Sequence, residues 1–221
     1  TLSSSSAASD VYKRQHNTDI VIAGGVDTVQ NPFGYLCFSK TQALSPTGQP
    51  RVFDAAADGI VISEGVVMLV LKRLADAERD GDRIYAVIQA VGGSSDGRAM
   101  GLTAPRPEGQ VLALQRAYAK AGFSPTTVEL FEAHGTGTVV GDRAEALSLS
   151  TFLEAEGAKL QSHAIGSVKS MIGHTKATAG VAGLAKVALA LYHQVLPPTL
   201  GVTQPNPKAR FGEGPLYINS E

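Results

Sequence analysis

Apolar runs and amphipathic stretches take turns along most of the chain. Residues 19–25 (DIVIAGG) form a β-branched run stopped by paired glycines, the pattern of a buried strand. A second continuous run fills 66–71, and a third, 84–91, follows a short helix and turn over 74–82. Val111, Leu114, Tyr118 and Ala121 fall on one helical face, with Gly122 as the stop. Leu130 and Phe131 lead into a glycine-rich turn, after which Asp142 and Glu145 have the spacing of a capping box opening a helix through Leu153. Residues 164–168 predict the next strand. Val181, Leu184, Val187, Leu191 and Val195 predict a mostly apolar, buried helix ended by Pro197-Pro198, and Tyr217-Ile218 a last strand. Alternating helices and doubly buried strands imply an α/β layered fold.

Residues 1–15 stand apart from this order. They read TLSSSSAASDVYKRQ, a Ser/Ala tract without apolar periodicity and without the basic-then-apolar order of a signal peptide. A disordered leader or an artefact is expected there, with organised sequence starting near His16.

Composition narrows the class. The 221 residues suffice for a sizeable core, and 19 basic against 20 acidic residues leave no electrostatic footprint for nucleic acid or an anionic membrane. No apolar stretch is long enough to span a bilayer. The single cysteine, Cys37, excludes an internal disulfide and fits a reducing cytoplasm. Set between Leu36 and Phe38, it reads as a packed small apolar residue.

The candidate chemistry sits in two turns. His134 lies in EAHGTGT (132–138) and His174 in SVKSMIGHT (167–175), each just after a short apolar run. Two neutral imidazole N–H groups aimed at one point would form a donor pair for a developing oxyanion. Lys169 adds a positive charge that discourages their protonation. Other readings compete. Gly135, Gly137 and Gly141 resemble a dinucleotide-binding turn, which would make an NAD-type oxidoreductase. Asp142 and Glu145 read as capping residues rather than catalytic carboxylates. His134, Asp142 and His174 lack helical metal-ligand spacing, so no metal is expected. His163 and His193 read as structural or exposed.

The two histidine motifs resemble those of the β-ketoacyl synthases, the condensing enzymes of fatty-acid and polyketide assembly. TDIVIAGGVD (18–27), ALSPTGQPRVFDAAADG (43–59) and Glu64-Gly65 leading into VVMLVLKRL match in the same order. The resemblance implies a thiolase-like layered αβαβα fold, incomplete at both ends. Residues 16–82 would end the N-terminal half, and 83–221 would supply most of the C-terminal half.

It also implies a decarboxylative Claisen condensation, with substrates carried on the phosphopantetheine of an acyl carrier protein and no cofactor bound directly. His134 and His174 would steady the malonyl thioester oxygen as it becomes an enolate, and Lys169 would orient the site. The nucleophilic cysteine would lie on an upstream segment that this sequence lacks, and the closing Gly/Phe-rich loop downstream of Glu221. The chain alone is therefore expected to be inactive, the intact synthase a cytoplasmic homodimer. Met171 resembles fatty-acid members; Gly183 (where those members commonly carry Glu) and EAHGTGT lean to polyketide members. A non-catalytic chain-length partner of the same fold is the alternative.

Overall fold

The computed structural model describes residues 18–28, 30–97 and 105–220, so the expected leader lies outside the described residues. Strand β1 (Ile20–Asp27) pairs antiparallel with β2 (Gly65–Lys72) over its whole length, from Ile20↔Lys72 to Asp27↔Gly65. Between them, α1 (Pro32–Lys40) starts at an Asn31 cap, whose Oδ1 accepts from the Gly34 N–H at 2.8 Å. Pro32 at the first helical position suits that start. Helix α2 (Leu74–Asp80) follows β2 and ends at a left-handed Gly81.

The second sheet is parallel. Its strands β3 (Leu130–Glu132), β4 (His163–Gly166) and β5 (Leu216–Ile218) lie in the order β3-β4-β5. Helix α3 (Pro107–Ala121) presents Val111, Leu114 and Tyr118 to α4 (Val139–Ala155), as the helical spacing predicts. α4 and the sheet then enclose the main core of Val52, Phe53, Leu149, Phe152, Leu153, Ile165 and Leu216. A one-turn helix, α5 (Lys169–Ile172), follows β4. Helix α6 (Ala179–His193) touches β1 and β2 of one sheet and β3 of the other, so it joins the two layers. Small residues permit this wedge: a Cβ on Gly25 of β1 would lie 3.0 Å from Thr178 Cα and 3.3 Å from Val181.

Four expectations change. β1 and β2 are not buried on both faces: Ile20, Ile22, Val26, Val66, Met68 and Val70 are exposed, and only the alternate side chains turn inward. Residues 84–91 carry the apolar run of a strand but have no ladder partner among the described residues. Burial of α6 is confined to its first turns and Ala190, while Leu184, Leu189 and Leu191 are exposed. Cys37 is exposed on α1 rather than packed. In each case apolar character marked a surface without fixing what covers it.

A buried carboxylate ties the loop after α1 to the segment before β5. Asp54, 1% exposed, accepts from the N–H groups of Ala56, Thr203 and Gln204 at 2.7, 2.6 and 2.9 Å. Burial works to raise its pKa, but these bonds outweigh it and hold the carboxyl below the ordinary value. A depressed pKa contributes stability above the unfolded-state pKa, and this is lost as pH falls through the folded-state value. Asp54→Asn should therefore cost about 2 kcal/mol at neutral pH. The difference from the parent chain should shrink below about pH 4, as urea-unfolding midpoints at neutral and acid pH would measure.

Candidate active site

Both histidine turns leave the C-terminal ends of neighbouring parallel strands, where Glu132 of β3 pairs with Gly166 of β4. That is where an open α/β sheet gathers its functional loops. In the first turn, four successive N–H groups point at α4. His134 N and Gly135 N donate to Glu145 at 2.6 and 2.9 Å, and Thr136 N and Gly137 N to Asp142 at 2.9 and 3.1 Å. Asp142 also takes the Phe53 N–H at 2.8 Å. The expected capping box is therefore absent: α4 starts at Thr138 without a side-chain cap, and both carboxylates hold the turn. Burial pushes both carboxyls up, against the pull of these bonds.

The same geometry removes the dinucleotide reading. A phosphate-binding turn needs free N–H groups facing an anion. Here those groups are committed, and two carboxylates occupy the side a pyrophosphate would need.

The second turn is strung onto the N-terminal part of the chain. His174 N donates to Val61 O at 2.7 Å, and Ser63 N to His174 O at 3.1 Å. Gly173 fits beneath because it has no Cβ; one there would sit 2.9 Å from Val61 O, at a φ of +75°. Nδ1 of His174 accepts the Lys176 N–H at 3.0 Å, which leaves the ring hydrogen on Nε2. The two imidazoles meet edge to face, with centroids 5.5 Å apart and planes at 84°.

Lys169 lies against them, only 4% exposed, with Nζ donating to the His134 carbonyl at 2.5 Å. Burial lowers its pKa, while Glu145, Glu132 and Asp142 pull it back up. Desolvation first and the Lys169 charge second push His174 down to about 4 and His134 in the same direction. His134 keeps an exposed face, so solvent screens part of the effect there. At neutral pH the site therefore presents two uncharged imidazoles beside a lysine.

Two family models match the chain, and both turns fall within the second of the matched regions. "Beta-ketoacyl synthase, N-terminal domain" matches residues 2–77, and "Beta-ketoacyl synthase, C-terminal domain" matches 85–203. The chain belongs to the β-ketoacyl synthase family. It is 46% identical over 198 residues to a phenolphthiocerol/phthiocerol polyketide synthase of Mycobacterium tuberculosis, covering 90% of this chain and 11% of the relative. Among solved structures, it is similar to a ketosynthase from module 6 of the bacillaene synthase of Bacillus subtilis 168. That match has a TM-score of 0.94 and 42% identity, covering 98% of this chain and 39% of the other. It is also similar to a structure titled "PfaC Keto synthase-Chain length factor", with a TM-score of 0.83, 39% identity and coverage of 88% and 21%. The fold is thiolase-like, and the chain spans about a tenth of the length of the polyketide synthase it matches.

His134, His174 and Lys169 of this ketoacyl synthase chain come together, as their motifs suggested. Three participants were not singled out by sequence: Glu132, whose carboxylate reaches the Val168 N–H; Ser167, whose hydroxyl donates to the His134 carbonyl; and Lys186, which pairs with Glu132. Only contact across elements reveals them. His163, by contrast, is buried and structural, with Nδ1 2.6 Å from Val128 O.

The electrostatics predict an acid-shifted titration. NMR titration of 13C-labelled histidine should place His174 near pH 4 and His134 below the ordinary histidine range. Lys169→Met, by removing a cation that opposes protonation, should move both midpoints upward. Unmoved midpoints would show that the lysine charge does not reach the rings.

Proposed function

We propose that this chain contributes the decarboxylation site of a polyketide-type ketosynthase, a condensing acyltransferase. An acyl chain held as a cysteine thioester is attacked by the enolate formed when carrier-bound malonyl loses carbon dioxide. His134 and His174 donate to the malonyl thioester oxygen as negative charge gathers there. Burial first and the Lys169 charge second keep both rings uncharged, and Lys169 holds the first turn through the His134 carbonyl. The observation that carries this reading is the edge-to-face imidazole pair, with the His174 hydrogen fixed on Nε2. A neutral imidazole donates from its one protonated ring nitrogen, which for His174 is Nε2 because Nδ1 is already an acceptor.

The partners in this reading are an acyl carrier protein bearing the phosphopantetheine thioester and a second copy of the synthase. The polyketide assignment rests on the named relatives and on Gly183 with EAHGTGT. The chain-length-factor reading is weaker here, since both imidazoles and the lysine are present and mutually arranged.

In the full-length synthase, His134→Ala and His174→Ala should each slow carbon dioxide release from malonyl carrier on the order of 10²–10³-fold. Acyl loading should change far less, because it draws on the thiolate and other donors. The check is labelled-acyl transfer and carbon dioxide release measured on the same folded variants. Release at the parent rate would remove the pair from the enolate step.

A second outcome concerns the 221-residue chain itself, whose only thiol is the exposed Cys37. Incubated with acyl and malonyl carrier thioesters, it should give no ketoacyl product by mass spectrometry. A product that disappears in Cys37→Ala would make that thiol the nucleophile.

A further inference from the structure

We propose that Glu132 is a positioning residue that sets where the Lys169 ammonium sits, and that Gly183 is required because a side chain there displaces the Glu132 carboxylate. Glu132 ends β3, two residues before His134. Its Oε1 accepts the Val168 N–H at 2.5 Å, and its Oε2 accepts from Lys186 Nζ of α6 at 2.8 Å. The pair is enclosed, with side-chain exposures of 8% for Lys186 and 11% for Glu132. Val168 immediately precedes Lys169, whose ammonium reaches back to the His134 carbonyl. The contacts form a ring: Glu132 to Val168, along the chain to Lys169, across to His134, and back along the chain to Glu132.

Gly183 closes the argument from the helix side. A Cβ at that position would lie 3.1 Å from Glu132 Cγ and 3.3 Å from Oε1, so even a methyl group presses on the carboxylate. Glycine inside a helix is less favourable than alanine, and a buried ion pair contributes little net stability once desolvation is counted. Two locally unfavourable choices meet at one point, and that point fixes the turn carrying Lys169. Local rules broken together in this way mark function rather than folding.

The groups facing the imidazoles make the test one of sign. Lys169 approaches from α5 and Lys176 from the turn before α6, while Glu145 and Asp142 of α4 lie beneath the first turn. Deleting the Glu132 charge without moving Lys169 leaves Lys186 unpaired and lowers the histidine midpoints. Freeing Lys169 removes its charge from the rings and raises them.

The experiment is the histidine NMR titration on the full 221-residue chain, which reads the site without any condensing activity and so stands or falls separately from the proposed function. Glu132→Ala should raise the His134 and His174 midpoints by about one pH unit. Gly183→Ala, which alters no charge, should raise them by less. Glu132→Gln removes the charge but keeps an oxygen for Val168, so it should leave the midpoints at or below those of the parent. Unchanged or lowered midpoints in Glu132→Ala, with only a lower melting temperature, would leave Glu132 a purely structural residue and overturn the proposal. Should Glu132→Ala fail to fold, Gly183→Ala decides: a rise supports the proposal, and no rise in a folded variant overturns it.

Discussion

Two carboxylates one helical turn apart hold four consecutive backbone N–H groups, and the first histidine turn exists because of them. A turn rich in glycine has many conformations of similar energy. Glu145 takes His134 N and Gly135 N, and Asp142 takes Thr136 N and Gly137 N, so one conformation is selected. A hydrogen bond to a charged group contributes roughly 1.5–3 kcal/mol, enough over four bonds to offset burying both acids. Asp142 extends the clamp to Phe53, and Gly59 N donates to Gly137 O at 2.9 Å, so the segment between α1 and β2 is fastened to the same turn.

The second turn depends on a different element. His174 is placed by main-chain bonds to Val61 and Ser63, and the residues after it pack under β1 and β2. Thr178 Oγ1 donates to Gly65 O at 3.0 Å, and Lys176 Nζ lies 2.9 Å from Asp27. Both turns leave the parallel sheet, but one imidazole is held by α4 and the other by the segment leading into β2. Their 5.5 Å approach is a property of the joint between layers. Any change in how α6 seats between the sheets shifts one ring against the other.

Much of this was legible in the sequence, and the failures have physical causes. β1, β2, α3 and the parallel strands follow from periodicity and glycine stops, and the histidine pair from its two motifs. The roles of Asp142 and Glu145 were hidden because one spacing serves both a capping box and a clamp on a preceding turn. What separates them is the direction of the side chains, which no linear pattern records. Helix α1 carries an Asn31-Pro32 start signal, and none of its residues is buried. The 84–91 run and the outer side of α6 show a converse limit: hydrophobicity tells that a surface prefers cover, not where the cover lies. Glu132 and Gly183 could not be paired from the sequence, since they meet only when α6 crosses β3.

The way charge is distributed explains why the lysine is effective. Three carboxylates lie near Lys169, yet among the described residues none forms an ion pair with it. Glu145 and Asp142 are committed to backbone N–H groups, and Glu132 to Val168 and Lys186. Lys169 is left to donate to a neutral carbonyl. A contact ion pair would have cancelled most of its field at short range. Because the acids are held one contact away, they support the ammonium form without quenching it, and the positive field reaches the rings. The carboxylate clamp therefore does two things at once. It fixes the turn that carries His134, and it keeps the neighbouring acids from neutralising a cation that, after burial itself, disfavours protonation of both imidazoles.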